Sequence, residues 1–274
     1  MREKANMPFL LLIRRRMYFL RANLDVAQEM RSPVILQFHE SDVEGIGMYY
    51  ITSLLKGICS HYCIPIVLHL DHGEDLEKIR RAIDCGFTSV MYDGSHLPLE
   101  ENIKNTRTIV EYAHAQNVTV EAELGRVGEN DRNFNDTGES LLTDPDEVVQ
   151  FIRMTNVDAL AVSIGTSHGA YLPEPRLNIS VLKEISRVST IPLVIHGGSG
   201  NPVDQLQDAI QNGITKVNIF ADLRVALKKG MDLAYGNVSR KDPMPNELFT
   251  PISEEIKKVV QDKINICGSM NRGI

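Results

Sequence analysis

Three histidines, each beside a glycine, stand far apart in this chain: His72 in HLDHG (69–73), His168 in GTSHG (165–169) and His196 in HGGSG (196–200). Neutral imidazoles are good Zn²⁺ ligands, and three of them leave a fourth position open for a substrate. A lone histidine more often packs or faces solvent. Three at the ends of three apolar runs make a candidate metal centre. His69 reads as a residue that orients a neighbour, while His61, His96 and His114 read as ordinary packing or surface residues.

Carboxylates surround these histidines. Asp71 precedes His72 directly, so it is placed either to carry a proton beside a metal-bound substrate or to orient a histidine. Asp93 in MYDGSH and Glu123 in VEAELG suit a second metal position or hydrogen bonds to the ligands. The glycines of HGGSG (Gly197, Gly198), with Ser199, let backbone N–H groups approach an anion, and the helix that follows aims its positive end there. Gly169 offers another N–H. The whole describes metal-assisted chemistry on a phosphorylated small molecule. Carbon–carbon cleavage, epimerisation and hydrolysis all fit at this level.

These residues need a scaffold that gathers strand ends. Eight short apolar runs alternate with amphipathic stretches: 9–13, 34–38, 64–70, 89–92, 118–122, 159–164, 192–195 and 216–219. Several place Val or Ile on successive residues, as strands covered on both faces do. Helical periodicity fills 74–84, 100–116, 144–154, 179–188 and 202–212. Eight β-α units with no G-x-G-x-x-G after the first strand predict an α/β fold, a single (β/α)8 TIM barrel. The barrel spans about 8–236 of a single domain covering 1–274, and a C-terminal helix and tail occupy about 237–274. In such a barrel the strand C-termini form the active face, and the loops after strands seven and eight often bind phosphate. The irregular stretch 125–140, GRVGENDRNFNDTGES, reads as a lid.

Composition sets the limits. The 274 residues carry 29 Lys+Arg and 36 Asp+Glu, a net charge of -7, with 43% hydrophobic residues. That excludes disorder for most of the chain and makes nucleic acid a poor partner. The apolar run 7–13 is too short to span a bilayer and lacks a cleavage pattern, so it reads as a buried first strand. Four cysteines without a CxxC pair read as reduced thiols of a cytoplasmic protein with no membrane partner.

The motifs RSPVILQ (31–37), HLDHG, FTSVMYDGSHLPLEENI (87–103), VEAELGRVG (120–128), GTSHG, HGGSG and KVN (216–218) together resemble the class II, metal-dependent ketose-bisphosphate aldolases, which include fructose- and tagatose-bisphosphate enzymes. The resemblance runs from about Arg31 to the C-terminus, in the family order. It implies Zn²⁺ on His72, His168 and His196, with Asp93 and Glu123 at additional metal positions. It implies Asp71 as the proton carrier at the C4 hydroxyl, and Glu129 in the mobile loop as the carbanion base, with Asp131 as the alternative. Gly169, Gly197, Gly198, Ser199 and Asn218 would form the dihydroxyacetone-phosphate site, often with a monovalent cation, Na⁺ or K⁺. The implied reaction is reversible cleavage of a ketose 1,6-bisphosphate to dihydroxyacetone phosphate and glyceraldehyde 3-phosphate by a homodimer or homotetramer.

This chain departs from the family pattern at the substrate contacts. His39 stands where a Ser holds the aldehyde end, Leu12-Ile13 replaces Phe-Asn, and Phe220-Ala221 replaces a small or acidic residue followed by Thr. Ala221 removes a hydroxyl from the phosphate site. These changes leave room for a different phosphorylated ketose, or for a catalytically weak member acting as a regulatory or partner subunit. A metal-dependent phosphosugar epimerase is the third reading, disfavoured by the HLDHG and HGGSG pair.

Overall fold

The computed structural model describes residues 9–12, 17–129, 142–169 and 175–273, with the backbone alone at 9–12, 17, 18, 129 and 168. Ile13, Asp131 and most of the expected lid lie outside the described residues.

The chain runs β1 (Phe9–Leu12), α1 (Met17–Glu29), β2 (Val34–His39), α2 (Glu40–Ile46), α3 (Met48–Cys59), β3 (Ile66–Gly73), α4 (Leu76–Cys85), β4 (Ser89–Tyr92) and α5 (Leu99–His114). It continues through β5 (Thr119–Leu124), β6 (Gly128–Glu129), α6 (Pro145–Thr155), β7 (Ala159–Val162), β8 (Ser167–His168) and α7 (Ile179–Val188). The last elements are β9 (Leu193–Ile195), α8 (Val203–Gln211), β10 (Ile214–Ile219), α9 (Ala221–Asn237) and α10 (Pro245–Cys267). Each apolar run of the sequence becomes one strand of a parallel sheet in the order β1-β10-β9-β7-β5-β4-β3-β2. β1 also pairs with β2, in the register Leu11↔Ile35, so the sheet curls into a TIM-like barrel. The two-residue strands β6 and β8 pair apart from it, Glu129 opposite His168.

Local chemistry starts and stops the helices. Asp75 caps α4 by accepting from the N–H groups of Glu77 and Lys78, and Asp144 caps α6 ahead of Pro145. Gly86 ends α4 at φ 104, a conformation that costs a residue without Cβ little. The buried rows of these helices (Ile79, Ala82 and Ile83 of α4; Val148 and Phe151 of α6) cover the outer face of the sheet.

Helix α10 begins at Pro245, inside the stretch expected for a C-terminal helix, and carries Pro251 in its second turn. Pro245 occupies its first turn, and the Glu247 carboxylate accepts from the Met244 N–H at 2.6 Å. Pro251 removes one helical N–H, and the packing of the turns around it offsets that loss. Ile252, Ile256, Val260 and Ile264 form a buried stripe. A Cβ on Gly230 would lie 2.5 Å from the Ile252 Cα, so glycine there lets α9 and α10 approach closely. Beyond α10 the chain docks on the entrance to β2. Gly273 N donates to Arg31 O at 2.8 Å, Asn271 N to Met30 O at 3.0 Å, and Ser32 Oγ to Ser269 Oγ at 2.8 Å.

Candidate metal centre and phosphate cradle

Strand order decides which side chains meet. His72 is the penultimate residue of β3, Asp93 follows β4, Glu121 and Glu123 lie on β5, and His196 follows β9. Ligand atoms of Asp71, His72 and His196 fall within 4.8 Å of one another, as do those of His72, Asp93 and Glu123. The His72 and His196 rings meet edge to face at 4.6 Å.

Carboxylates hold both rings. His72 Nδ1 lies 2.7 Å from Asp93 Oδ2; with Nδ1 donating, Nε2 carries the lone pair. His196 Nε2 lies 2.9 Å from Glu121 Oε1, and its Nδ1 lies 3.2 Å from Glu123 Oε2. His72 also sits at φ 48, a left-handed backbone that a β-strand end seldom imposes on a side-chain-bearing residue. Such strain persists only where surrounding structure enforces it, and it is concentrated at functional sites.

The electrostatics favour a cation. Burial disfavours charge on His196, yet its hydrogen bonds to Glu121 and Glu123 outweigh that and raise its pKa to about 10. Burial opposes charge on His72 as well, and the nearby Asp71 and Asp93 still push its pKa up. Burial raises the pKa of Asp93 in isolation, but the His72 partner holds it well below the carboxylate range. Glu123 moves up, first through burial and then through repulsion by Asp93. Two imidazoles with Asp71, Asp93 and Glu123 in a largely buried pocket make a donor set that suits a divalent metal.

The face beside this cluster carries the substrate-side residues. Asn218 on β10 donates from Nδ2 to Asp71 Oδ1 at 3.3 Å. Its Oδ1 is buried without a hydrogen-bond partner among the described residues, an acceptor that a substrate hydroxyl would satisfy. The β9 exit loop is tied to β10 by Gly198 N donating to Asn218 O at 2.9 Å. A Cβ on Gly198 would lie 2.4 Å from Val217 Cγ1, so the glycine answers to packing, and its N–H is engaged within the protein. Ser199 Oγ accepts from Phe220 N at 2.9 Å and Asp222 N at 3.3 Å, pinning the start of α9 where Ala221 sits. Gly169 and Gly197 take φ 100 and 64.

His39 ends β2 directly opposite Asp71 in the strand register. Its ring lies 6.0 Å from that of His72. Nδ1 accepts from Ser41 N at 3.1 Å while Asp42 accepts from His39 N at 3.2 Å, so histidine serves as the cap of α2. Of His168 and Glu129 the backbone is described, paired in β6 and β8, and their side chains lie outside the description.

The fructose-bisphosphate aldolase class-II family model matches residues 12–272. The chain belongs to that family. Among solved structures it is similar to the YdjI aldolase from Escherichia coli K12, at 30% identity over 98% of this chain and 93% of that one, with a TM-score of 0.84. A putative fructose-1,6-biphosphate aldolase from Coccidioides immitis is 26% identical over 97% and 92% of the two chains, with a TM-score of 0.85. Fructose-bisphosphate aldolase from Campylobacter jejuni, at 22% identity over 97% and 91%, shares the fold with a TM-score of 0.78.

Within this aldolase-family barrel, two charged residues have no role in the sequence-based expectations. Lys216 and Glu121 form an ion pair inside the ring, beneath the metal motifs, and Lys216 Nζ also lies 3.3 Å from His69 Nε2. The available signal was a charge of each sign at inward positions of apolar strands, Glu121 in VEAEL and Lys216 in ITKVNI. Among the described residues no helix is long and apolar enough to cross a membrane.

Proposed function

We propose that this protein is a metal-dependent aldolase, a lyase that reversibly cleaves a ketose 1,6-bisphosphate of the fructose or tagatose type to dihydroxyacetone phosphate and glyceraldehyde 3-phosphate. It works on a complete (β/α)8 barrel, with Zn²⁺ held by His72, His196 and His168 and a second metal position at Asp93 and Glu123. The observation that carries this reading is the convergence of Asp71, His72 and His196 at the strand C-termini of a family-matched barrel. When bound, the metal supplies a Lewis acid for the ketone oxygen and the adjacent hydroxyl.

The chain's own residues do the rest. Asp71, aligned by the Asn218 amide, takes the proton of the C4 hydroxyl as the C3–C4 bond breaks, leaving the aldehyde. The electron pair stays on the dihydroxyacetone-phosphate half, and Glu129 from the loop supplies a proton to that carbon. The glycines 169, 197 and 198 with Ser199 shape the phosphate cradle, beside which Na⁺ or K⁺ completes the anion site. The enzyme works as a cytoplasmic homodimer or homotetramer; the free thiols of its four cysteines fit the reducing compartment only.

His39 and Ala221 favour one variant of this reading, a phosphorylated ketose other than fructose 1,6-bisphosphate. The test is coupled triose-phosphate release from fructose 1,6-bisphosphate and tagatose 1,6-bisphosphate, with EDTA and with added Zn²⁺. Chelator-sensitive cleavage of either supports the proposal and names the epimer. Zn²⁺ bound without cleavage of any ketose phosphate would replace it with a regulatory role.

A further inference from the structure

Inside the barrel, one layer below the metal motifs, lies a polar group that the proposed reaction does not use. Lys216 of β10 and Glu121 of β5 come from strands three steps apart around the ring and pair across its interior. They are 6% and 3% exposed. His69 of β3 closes the group from a third direction: its Nε2 lies 3.3 Å from Lys216 Nζ, and its Nδ1 lies 2.7 Å from Ser89 Oγ. Barrel interiors are ordinarily filled by branched apolar side chains. An isolated buried ion pair tends to be no more stabilising than an apolar pair of the same volume, so stability alone explains this one poorly.

The geometry supplies a different reason. Glu121 divides its two oxygens: Oε2 goes to Lys216, and Oε1 goes to His196 Nε2 at 2.9 Å. A carboxylate that accepts from Nε2–H fixes the imidazole as the tautomer with its lone pair on Nδ1. It also turns Nδ1 to the side on which Glu123 lies, at 3.2 Å. We propose that Lys216 and Glu121 are positioning residues that set the tautomer and ring orientation of His196 from within the barrel, with His69 and Ser89 anchoring the lysine. The proposal rests on the reading of His196 as a metal ligand. Lys216 acts through Glu121 and touches neither metal nor substrate.

The test uses the full chain and Zn²⁺ alone, by competition with a chromophoric chelator, together with the visible absorption spectrum of the Co²⁺ form. In Lys216→Met/Glu121→Leu both charges go, so no lone charge stays buried. The expected result is a thermal midpoint near that of the parent, Zn²⁺ bound roughly 10- to 100-fold more weakly, and an altered Co²⁺ spectrum. Glu121→Gln retains an acceptor oxygen for Nε2–H and should lose less than about tenfold. A purely structural pair would lower the thermal midpoint and leave Zn²⁺ affinity and the Co²⁺ spectrum of the folded protein as they were. That result overturns the proposal, as does an equal loss in Glu121→Gln and Glu121→Leu if the double variant fails to fold. A parent protein that binds no Zn²⁺ would overturn the metal-site reading and the positioning role with it.

Discussion

Asp71→Asn separates proton transfer from metal binding. The substitution keeps shape and an acceptor oxygen for the Asn218 amide, 3.3 Å away, and removes the ability to take a proton. A positioned acid–base group contributes about 10²–10⁴-fold. The low end applies where bulk water can stand in. Asp71 is only 4% exposed, wedged between the β2 and β10 ends, so water is a poor substitute and the upper part applies. The expected loss in kcat is therefore roughly 10³–10⁴-fold, about 4–5.5 kcal/mol in the barrier. It would be read by coupled triose-phosphate release at saturating ketose bisphosphate, with Zn²⁺ affinity measured in parallel. Retained metal with lost turnover is the predicted pattern. Wild-type turnover would remove Asp71 from the mechanism, and a matching collapse of Zn²⁺ affinity would make it a metal ligand.

Three further outcomes follow from the same geometry. Asp93→Ala deletes the carboxylate 2.7 Å from His72 Nδ1 and should weaken Zn²⁺ binding about 10- to 100-fold by chelator competition; unchanged affinity would count against Asp93 as its orienting partner. His69 is held near 3 against 6.5 for a free imidazole, first by burial and then by Lys216, so below pH 6.5 the unfolded state binds the extra proton and stability falls as pH drops towards 3. In metal-free protein, His69→Asn should flatten that dependence above about pH 5, where most unfolded carboxylates stay ionised; parallel urea-denaturation slopes in both proteins would refute this. Ala221→Thr restores a hydroxyl at the start of α9 and should tighten dihydroxyacetone-phosphate binding by about 1 kcal/mol, or roughly fivefold, by calorimetry; equal affinities would show that α9 does not face the phosphate.

The eight strands were legible because runs such as VILQF and ALAVSI carry apolar residues on both faces, which happens only where helices cover one side and a filled interior the other. The candidate site residues stand out in the sequence for the same reason: polar groups at strand ends contrast with apolar runs. Strands β6 and β8 were not, since two residues have no periodicity and their pairing depends on a loop arrangement set at long range. The cap of α2 was hidden by its residue type, because histidine is outside the usual capping set and works here through Nδ1. Lys216 and Glu121 were invisible as a pair: 95 positions separate them, and barrel curvature alone brings them together.

The docking of residues 269–273 onto the turn before β2 joins groups at least 237 positions apart in the sequence, Ser32 and Ser269 being the nearest such pair. During synthesis, the corner between α1 and β2 therefore waits for residues 269–273 to emerge before its last backbone partners arrive. Until then α1 lacks α10, and the apolar stripe from Ile252 to Ile264 has yet to be made. With synthesis at about 5–20 residues per second, α1 is expected to stay uncovered on its α10 side until residues 245–267 have emerged. Removing residues 269–273 would leave α10 in place and take away the partners of Met30, Arg31 and Ser32 at that corner. Its first symptom would be a lower soluble yield, ahead of any change in the chemistry at the other end of the strands.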